Sequence, residues 1–446
     1  DLPAVPDPKT VFWRNEADSG TLASGSKAWE LFKGETGWCQ CQYIPAGLRP
    51  IFSSSLAGQG SIIVRVPDRV AILAAFPLHL LPGFDASEGL KQHFATWLPQ
   101  LARIYAAQPH FEFHWIVISK AFRSPERHQL WGQTFHCLPA GKGGMRAPSL
   151  YREERKRLQQ LLREIRPALV HGWGTEDVYA FAAVRSGFPN LVSMQGILTY
   201  YMLRNRMGAR DYLQAALEYY VLHTADRITV ESEWGREVLL RRNSRAQIDL
   251  VEYGVDDLFL DVAWNPDPAR PVALFVGTIS PRKGVQDLVA AFAHPSLAGV
   301  ELRIIGNGPQ QFEEALRARS SPNVKWLGRL PRNEIAGQMS QAWALFLPTR
   351  ADTSPNVVKE ARVIGLPVIT TPYGGQTTYV KEGVTGFLVE PGDVSALVKA
   401  AGRLFSSFER CQTLGQALRE EHRRMLHPQE TANRFLNLYR SMIEGG

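Results

Sequence analysis

From residue 69 onward the chain alternates short apolar runs with stretches of helical period. Apolar runs at 70–76, 111–119, 133–138, 168–171, 191–195, 227–231 and 248–253 predict strands. Between them, 87–106, 150–165, 176–186, 212–223 and 233–241 predict helices. After a proline-rich linker at 264–271 the alternation resumes. Strands are expected at 272–276, 301–305, 324–327, 342–347, 367–371 and 386–389, and helices at 285–292, 310–319, 333–341, 355–364 and 394–405. This order argues for an α/β fold, with two parallel sheets each covered by helices on both faces. Two such units joined by a linker face each other across a cleft, and ligands of open α/β sheets sit beyond the carboxyl ends of the strands. The expected division is an N-terminal appendage at 1–68, an N-terminal Rossmann-like domain at 69–265, and a C-terminal Rossmann-like domain at 266–410. The segment 411–446, with two helices broken near Pro428, is expected to cross back to the N-terminal domain. Residues 1–68 are rich in Pro, Gly and Ser, carry scattered Trp13, Trp29 and Trp38, and alternate only weakly, at 60–66. Their role is unassigned, and packing against the next domain is the plain expectation.

Composition narrows the class. A hydrophobic content of 45% and a charged content of 21% in 446 residues are those of a globular protein with ordinary cores. A formal charge of +7 is compatible with simple solubility, an anionic substrate or an acidic lipid surface. Nucleic acid is not expected, because no basic-aromatic repeat accompanies the charge. Four cysteines, Cys39, Cys41, Cys137 and Cys411, are too few for a disulfide framework in a chain this long. Cys39-Gln-Cys41 lacks a second ligand pair at zinc-like spacing, so no metal is expected, and a reducing, cytoplasmic compartment fits best. No apolar run reaches the roughly 18 residues of a membrane span. The sequence begins at Asp1, so a targeting segment cannot be read from it.

The chemistry concentrates at residues 351–361, A-D-T-S-P-N-V-V-K-E-A. An apolar strand precedes it. Ser354-Pro355 reads as a helix start, with Ser354 as N-cap and Pro355 at the first helical position. Open N–H groups near Asn356, Val357 and Val358, together with the helix dipole, favour an anion there. Asn356 and Glu360 lie four apart on one face, and Asp352 sits just before the cap. A cradle for negative charge flanked by carboxylates that grip hydroxyls suits a sugar nucleotide. The strand at 272–276 ends in Gly277-Thr-Ile-Ser-Pro-Arg-Lys-Gly284, which places Arg282 and Lys283 beside the same cleft. Each cation at ~4 Å from a departing diphosphate supplies roughly 4 kcal/mol at an effective dielectric of about 20, before desolvation. Gly306-Asn-Gly308-Pro309 and Thr371-Pro-Tyr-Gly-Gly-Gln376 end two further strands. Either is an ordinary turn on its own.

Taken together, the segments 277–284, 306–309, 352–360, 365–370 (Gly-Leu-Pro-Val-Ile-Thr) and 383–388 (Gly-Val-Thr-Gly-Phe-Leu) resemble glycosyltransferase family 4, retaining enzymes of the GT-B fold. The resemblance is strong over 271–407 and weaker over 69–265, where Val251-Glu-Tyr-Gly-Val-Asp256 and Ser193-Met-Gln-Gly196 carry it. It implies that Glu360 holds the ribose hydroxyls of a nucleotide-diphosphate sugar and Asp352 the donor sugar. Gly277, Gly308 and the backbone of Pro355, Asn356 and Val357 would lie against sugar and phosphates, with Arg282 and Lys283 on the diphosphate. The base would stack near 328–330, beside Arg329. On the other domain, Gly83 would approach the donor phosphate, Gln195 and Gly196 the sugar or acceptor, and His171 is a catalytic candidate beside the commoner reading of a packed histidine. The implied reaction is transfer of a sugar to a hydroxyl acceptor on a glycan, a lipid-linked glycan or a small molecule, as in polysaccharide biosynthesis. No cofactor or metal is implied. The chain departs from the family at Asp352, where Glu is usual, and at Thr278, where Arg is frequent. Glu176 and Asp177 read as a helix N-terminal charge pair. A sugar-nucleotide epimerase, a phosphorylase and a non-catalytic sugar-nucleotide-binding protein remain open. A nicotinamide dehydrogenase is disfavoured, since no Gly-x-Gly-x-x-Gly opens a helix after a strand. The basic stretch 151–166 (Arg152, Arg155, Lys156, Arg157, Arg163, Arg166) reads either as a solvated face or as a contact with an anionic membrane.

Overall fold

A computed structural model describes residues 64–84, 96–141, 143, 146–202 and 208–445, together with short strands nearer the N-terminus. Those strands are β1 (Thr10–Val11), β2 (Thr21–Ser24), β3 (Lys27–Lys33), β4 (Cys39–Cys41) and β5 (Val64–Arg65). Most of the expected appendage, the larger part of the strand expected at 60–66 and the start of the helix expected at 87–106 lie outside the described residues.

The first large sheet has eight strands: β6 (Asp68–Leu73), β7 (Phe111–Ser119), β8 (Glu126–Leu130), β9 (Gln133–Pro139), β10 (Leu169–Trp173), β11 (Asn190–Met194), β12 (Arg227–Val230) and β13 (Ile248–Leu250). Their order is β13-β12-β11-β10-β6-β7-β9-β8. All pairings are parallel except β8 with β9, an edge hairpin turned by Trp131 and Gly132, both at positive φ. Such a two-residue turn matches the strand twist. Its helices are α1 (Trp97–Tyr105), α2 (Arg152–Ile165), α3 (Val178–Val184), α4 (Leu198–Met202), α5 (Ala209–Thr224) and α6 (Glu233–Leu240). The hairpin strand β8 was not expected. Its Glu-Arg-His-Gln-Leu is polar because an edge strand in water needs no apolar face.

After α7 (Asp257–Asp261) comes a six-stranded, all-parallel sheet. Its strands are β14 (Val272–Val276), β15 (Glu301–Ile305), β16 (Val324–Gly328), β17 (Ala344–Leu347), β18 (Val368–Thr370) and β19 (Gly386–Leu388). The order β16-β15-β14-β17-β18-β19 is that of a doubly wound dinucleotide-binding sheet, and it reverses between β14 and β17. β14 and β17 are almost wholly buried, which is why they read as continuous apolar runs. The covering helices are α8 (Val285–Phe292), α9 (Gln310–Arg317), α10 (Arg332–Gln341), α11 (Asn356–Ile364) and α12 (Val394–Leu404).

The chain closes with α13 (Phe408–Gln416), α14 (Arg419–Met425) and α15 (Pro428–Glu444), three helices where the pattern suggested two. α15 leaves the second core and packs on the first: Ala432, Phe435, Leu436 and Tyr439 join the cluster around Trp115 and Trp173. The two crossings between halves run side by side. Val255 N–H donates to Leu426 O at 2.9 Å, and Gly254 N–H to Thr431 Oγ1 at 2.8 Å. A buried ion pair also ties the halves: Lys359 on α11 meets Glu231, just past β12, and donates to Tyr253 O at 3.2 Å.

Candidate functional site

The second sheet reverses between β14 and β17, and the segments that leave these strands interlock. After β14 a single 3-10 turn, Pro281–Lys283, aims two cations sideways. Arg282 Nη1 donates to Ala351 O at 2.8 Å, and Lys283 Nζ is paired with the Asp352 carboxylate. The Arg282 O in turn accepts from Arg350 N at 2.8 Å, so the second loop fixes the turn that carries the cations. Arg282 also lies over the Tyr201 ring, 5.4 Å from its centroid. Tyr201 belongs to α4 of the other half, and its hydroxyl meets Thr353 Oγ1 at 2.8 Å. The cations therefore stand where the two halves face each other.

The helix that follows, α11, begins one residue later than the sequence suggested. Its N-cap is Pro355, not Ser354, and no side chain caps it. Ser354 Oγ is instead held by Tyr379 OH at 3.1 Å. Proline has no acceptor side chain, so the N–H groups of Asn356 and Val357 have neither an intrahelical nor a capping partner. Two half-buried residues with open donors and the positive end of a helix lie next to Asp352.

Farther along α11, Glu360 is 6% exposed and accepts from Arg332 Nη2 at 3.3 Å. Burial pushes its carboxyl up, and Arg332 pulls against that. Arg332 Nε also lies 3.3 Å from Asp256 Oδ2. Arg332 opens α10, three residues after the exposed Arg329 and the turn at Gly328. Glu360 thus meets Arg332 at the start of α10, which follows β16, and β16 lies two strands from β14 in the same sheet. Gly277 ends β14 with its N–H on Ile305 O at 3.0 Å. Gly308 has a packing reason for its lack of a side chain: a Cβ there would fall 1.9 Å from Ile279 O, and one at Gly306 1.9 Å from Gly277 O.

The first sheet reverses between β6 and β10. Gly83, at φ +88°, lies in the loop after β6, with nothing near its Cβ position among the described residues. Gln195 and Gly196 follow β11, half-buried. His171 does not belong to this site. It is fully buried, with Nδ1 at 2.7 Å from Tyr439 OH and Nε2 at 2.7 Å from Ser193 Oγ. Trp173 Nε1–H, which can only donate, reaches Nδ1 at 3.1 Å and fixes that nitrogen as the acceptor. Burial holds the ring's pKa well below the ordinary value, so it is a neutral core histidine that seats α15. The commoner of the two sequence readings holds for it.

Two further side chains, Tyr201 and Glu176, stand at the cleft, neither of them among the expected binding residues. Tyr201 sits in Gly-Ile-Leu-Thr-Tyr-Tyr, which reads as plain apolar sequence. Glu176 reads as a helix-start charge, yet Asp177 alone caps α3, its Oδ1 accepting from Val178 N at 2.8 Å.

Comparisons with known proteins agree with this geometry. The family model described as Glycosyltransferase Family 4 matches residues 100–257, and the model described as Glycosyl transferases group 1 matches 259–421. A D-inositol 3-phosphate glycosyltransferase of Catenulispora acidiphila is 28% identical over 62% of this chain and 72% of its own. A sulfoquinovosyl transferase of Arabidopsis thaliana is 30% identical over 35% of this chain, but only 31% of its own length is spanned. Among solved structures, a sucrose-phosphate synthase of Thermosynechococcus elongatus superposes with a TM-score of 0.70 at 20% identity, over 85% of this chain and all of that one. The Anabaena protein HepE, solved with UDP and glucose, superposes with a TM-score of 0.61 at 15% identity, over 84% of this chain and all of that one. These structural likenesses speak for the GT-B fold. The two family models together cover residues 100–257 and 259–421, from β7 into α14, and this chain belongs to glycosyltransferase family 4.

Proposed function

We propose that the protein moves a sugar from a nucleoside-diphosphate donor to a hydroxyl acceptor with retention at the anomeric carbon. The observation that carries this is the meeting of Arg282, Lys283 and the uncapped start of α11 at the reversal point of the second sheet. When the bond between sugar and diphosphate breaks, negative charge grows on the leaving oxygen, and fixed cations and open N–H groups stabilise that charge without reorganising. Lys283 is held by Asp352 before the donor arrives, so it can exchange one anion for another with little movement. Asp352 is then released toward the hydroxyls of the donor sugar. Glu360 takes the ribose hydroxyls, and the turn with Arg329 lies against the base. On this reading the acceptor proton leaves with the departing phosphate, the two lysine and arginine charges do the work a metal does elsewhere, and no metal or cofactor is needed.

The acceptor belongs to glycan assembly: a glycan, a lipid-linked glycan or a smaller polyol. Contact with an anionic membrane surface on the cytoplasmic side is part of the proposal. Arg152, Lys156, Arg163 and Arg166 are exposed along α2, beside the exposed Leu150, and Tyr212 and Tyr219 are exposed on α5. Basic side chains and interfacial aromatics are what a lipid headgroup layer attracts. No helix among the described residues is long and apolar enough to cross a membrane. The test is proton NMR of the products made from UDP-, GDP- and ADP-sugars in the presence of candidate acceptors. Product with the donor's own anomeric configuration is expected. Inverted product, or an altered sugar nucleotide formed without any acceptor, contradicts the reading.

A further inference from the structure

Three acidic side chains stand together at the reversal point of the first sheet, and two of them are fully engaged. Asp177 caps α3 and pairs with Arg146 at 3.1 Å. Glu218 accepts from Leu198 N at 2.9 Å, Thr199 N at 2.8 Å, Thr199 Oγ1 at 2.7 Å and Thr175 Oγ1 at 2.8 Å. The third, Glu176, has no Arg, Lys or His within ion-pair distance among the described residues. Its backbone neighbours are shaped around it. A Cβ on Gly174 would fall 2.7 Å from one Glu176 oxygen, and a Cβ on Gly196 2.7 Å from the other. Two glycines, on loops after two different strands, thus leave room for one carboxyl group. The same Gly174 position lies 3.3 Å from Gln195 Oε1, so the Gln195 amide stands beside the carboxylate. Water reaches the exposed Glu176 side chain, while protein packed around its carboxyl makes ionisation costlier.

We infer that Glu176 and Gln195 form the acceptor's hydroxyl clamp, a subsite on the N-terminal half that binds adjacent hydroxyls of a sugar or other polyol. A carboxylate accepts from neighbouring hydroxyls through the lone pairs that its backbone N–H partners leave open, and a primary amide both donates and accepts. Tyr201 orients this clamp. The ring edge lies 3.5 Å from the Cβ position of Gly196, its face carries Arg282, and its hydroxyl holds Thr353. A polyol on Glu176 therefore sits across one aromatic ring from the cations of the donor half. The clamp rests on the proposed transfer reaction and adds the acceptor's chemical class and its ligands.

The clamp has a pH signature. Burial, with Glu218 adding repulsion, pushes the Glu176 carboxyl up to about 7, while N–H groups including that of Gly196 pull the other way. Asp177 beside it, Tyr201 on α4, Tyr253 at the crossing between halves, and Arg282 and Asp352 across the cleft are the other ionisable groups facing this corner. The accepting, ionised form gains population as pH rises through about 7. Polyol affinity then rises with pH, by about tenfold between pH 6 and pH 8 for a single group titrating midway.

The experiment uses the whole chain saturated with whichever of UDP, GDP or ADP raises its melting temperature. Saturation-transfer NMR then measures binding of myo-inositol, methyl α-D-glucopyranoside and methyl α-D-mannopyranoside between pH 5.5 and pH 8.5. At least one polyol is expected to bind with the rise described. Glu176→Gln, which keeps the shape, should weaken it by about tenfold and flatten the pH dependence, and Gln195→Ala should weaken it less. The nucleotide-induced stabilisation of both variants should match the parent, which shows that they fold. The clamp is overturned if no polyol binds to the nucleotide-loaded protein, or if Glu176→Gln keeps the parent affinity and pH profile. Failure of all three nucleotides to raise the melting temperature would instead overturn the transfer reaction on which the clamp rests.

Discussion

At the reversal point of the second sheet the charges are spent on one another: Lys283 on Asp352, Arg350 on Asp287 at 2.8 Å, and Arg332 shared between Glu360 and Asp256. At the reversal point of the first sheet, Glu176 stands in the cleft with hydrogen-bond donors but no cation among the described residues. The difference follows from what each half handles. A diphosphate brings negative charge, and a cation held by an internal carboxylate can be handed over at small cost because one ion pair replaces another. A neutral hydroxyl brings no charge to neutralise.

The largest effect is expected where the halves are joined. Lys359 and Glu231 are buried, and removing one partner leaves the other charged and unpaired, at a cost of about 3–5 kcal/mol. Lys359→Ala should lower stability by that amount in urea titrations. Lys359→Met with Glu231→Leu should restore most of it, since a well-packed apolar pair replaces a buried ion pair at little loss. If the single variant is as stable as the parent, the halves are not pinned there. Next comes the donor side. Lys283→Ala should reduce turnover by about 10²–10³-fold, the usual consequence of removing one fixed donor from a developing charge. Steady-state kinetics should place the loss in kcat. A loss confined to KM would mean that Lys283 grips donor and transition state equally. The smallest effect is expected between the halves, at Tyr201→Phe. It keeps the ring under Arg282 and removes the hydroxyl with its bond to Thr353, so stability should fall by about 1 kcal/mol. A larger fall would show that this hydroxyl, and not Lys359, holds the cleft shut.

The two halves also differed in how far the sequence revealed them. In the second sheet, strands buried on both faces are unbroken apolar runs, and β14, α8, β15 and α10 lie within a residue of their expected positions. In the first sheet, β8 escaped notice because its side chains face water, and α3 proved shorter than the stretch from 176 to 186. Arg282, Lys283 and Asp352 were legible because opposite charges at two strand ends, next to a helix start, have few other uses. The cap of α11 was misread by one residue, since nothing in Ser354-Pro355 announces that Tyr379 holds the serine. His171 could not be sorted by pattern. Its partners Tyr439 and Ser193 are 268 and 22 residues away. Glu176 was hidden by its neighbour, because either of two adjacent acids can cap a helix and only coordinates say which one does.

The central claim is that the second half of the chain binds a nucleoside diphosphate through Arg282, Lys283 and the start of α11. The most direct measurement is the melting temperature of the parent and of Lys283→Ala, each with UDP, GDP and ADP. At a nucleotide concentration near 100 times Kd, stabilisation of about 2.7 kcal/mol should appear in the parent as a rise of about 5 °C. That rise should shrink by at least half in Lys283→Ala. No rise with any of the three nucleotides, or an undiminished rise in the variant, would contradict the claim.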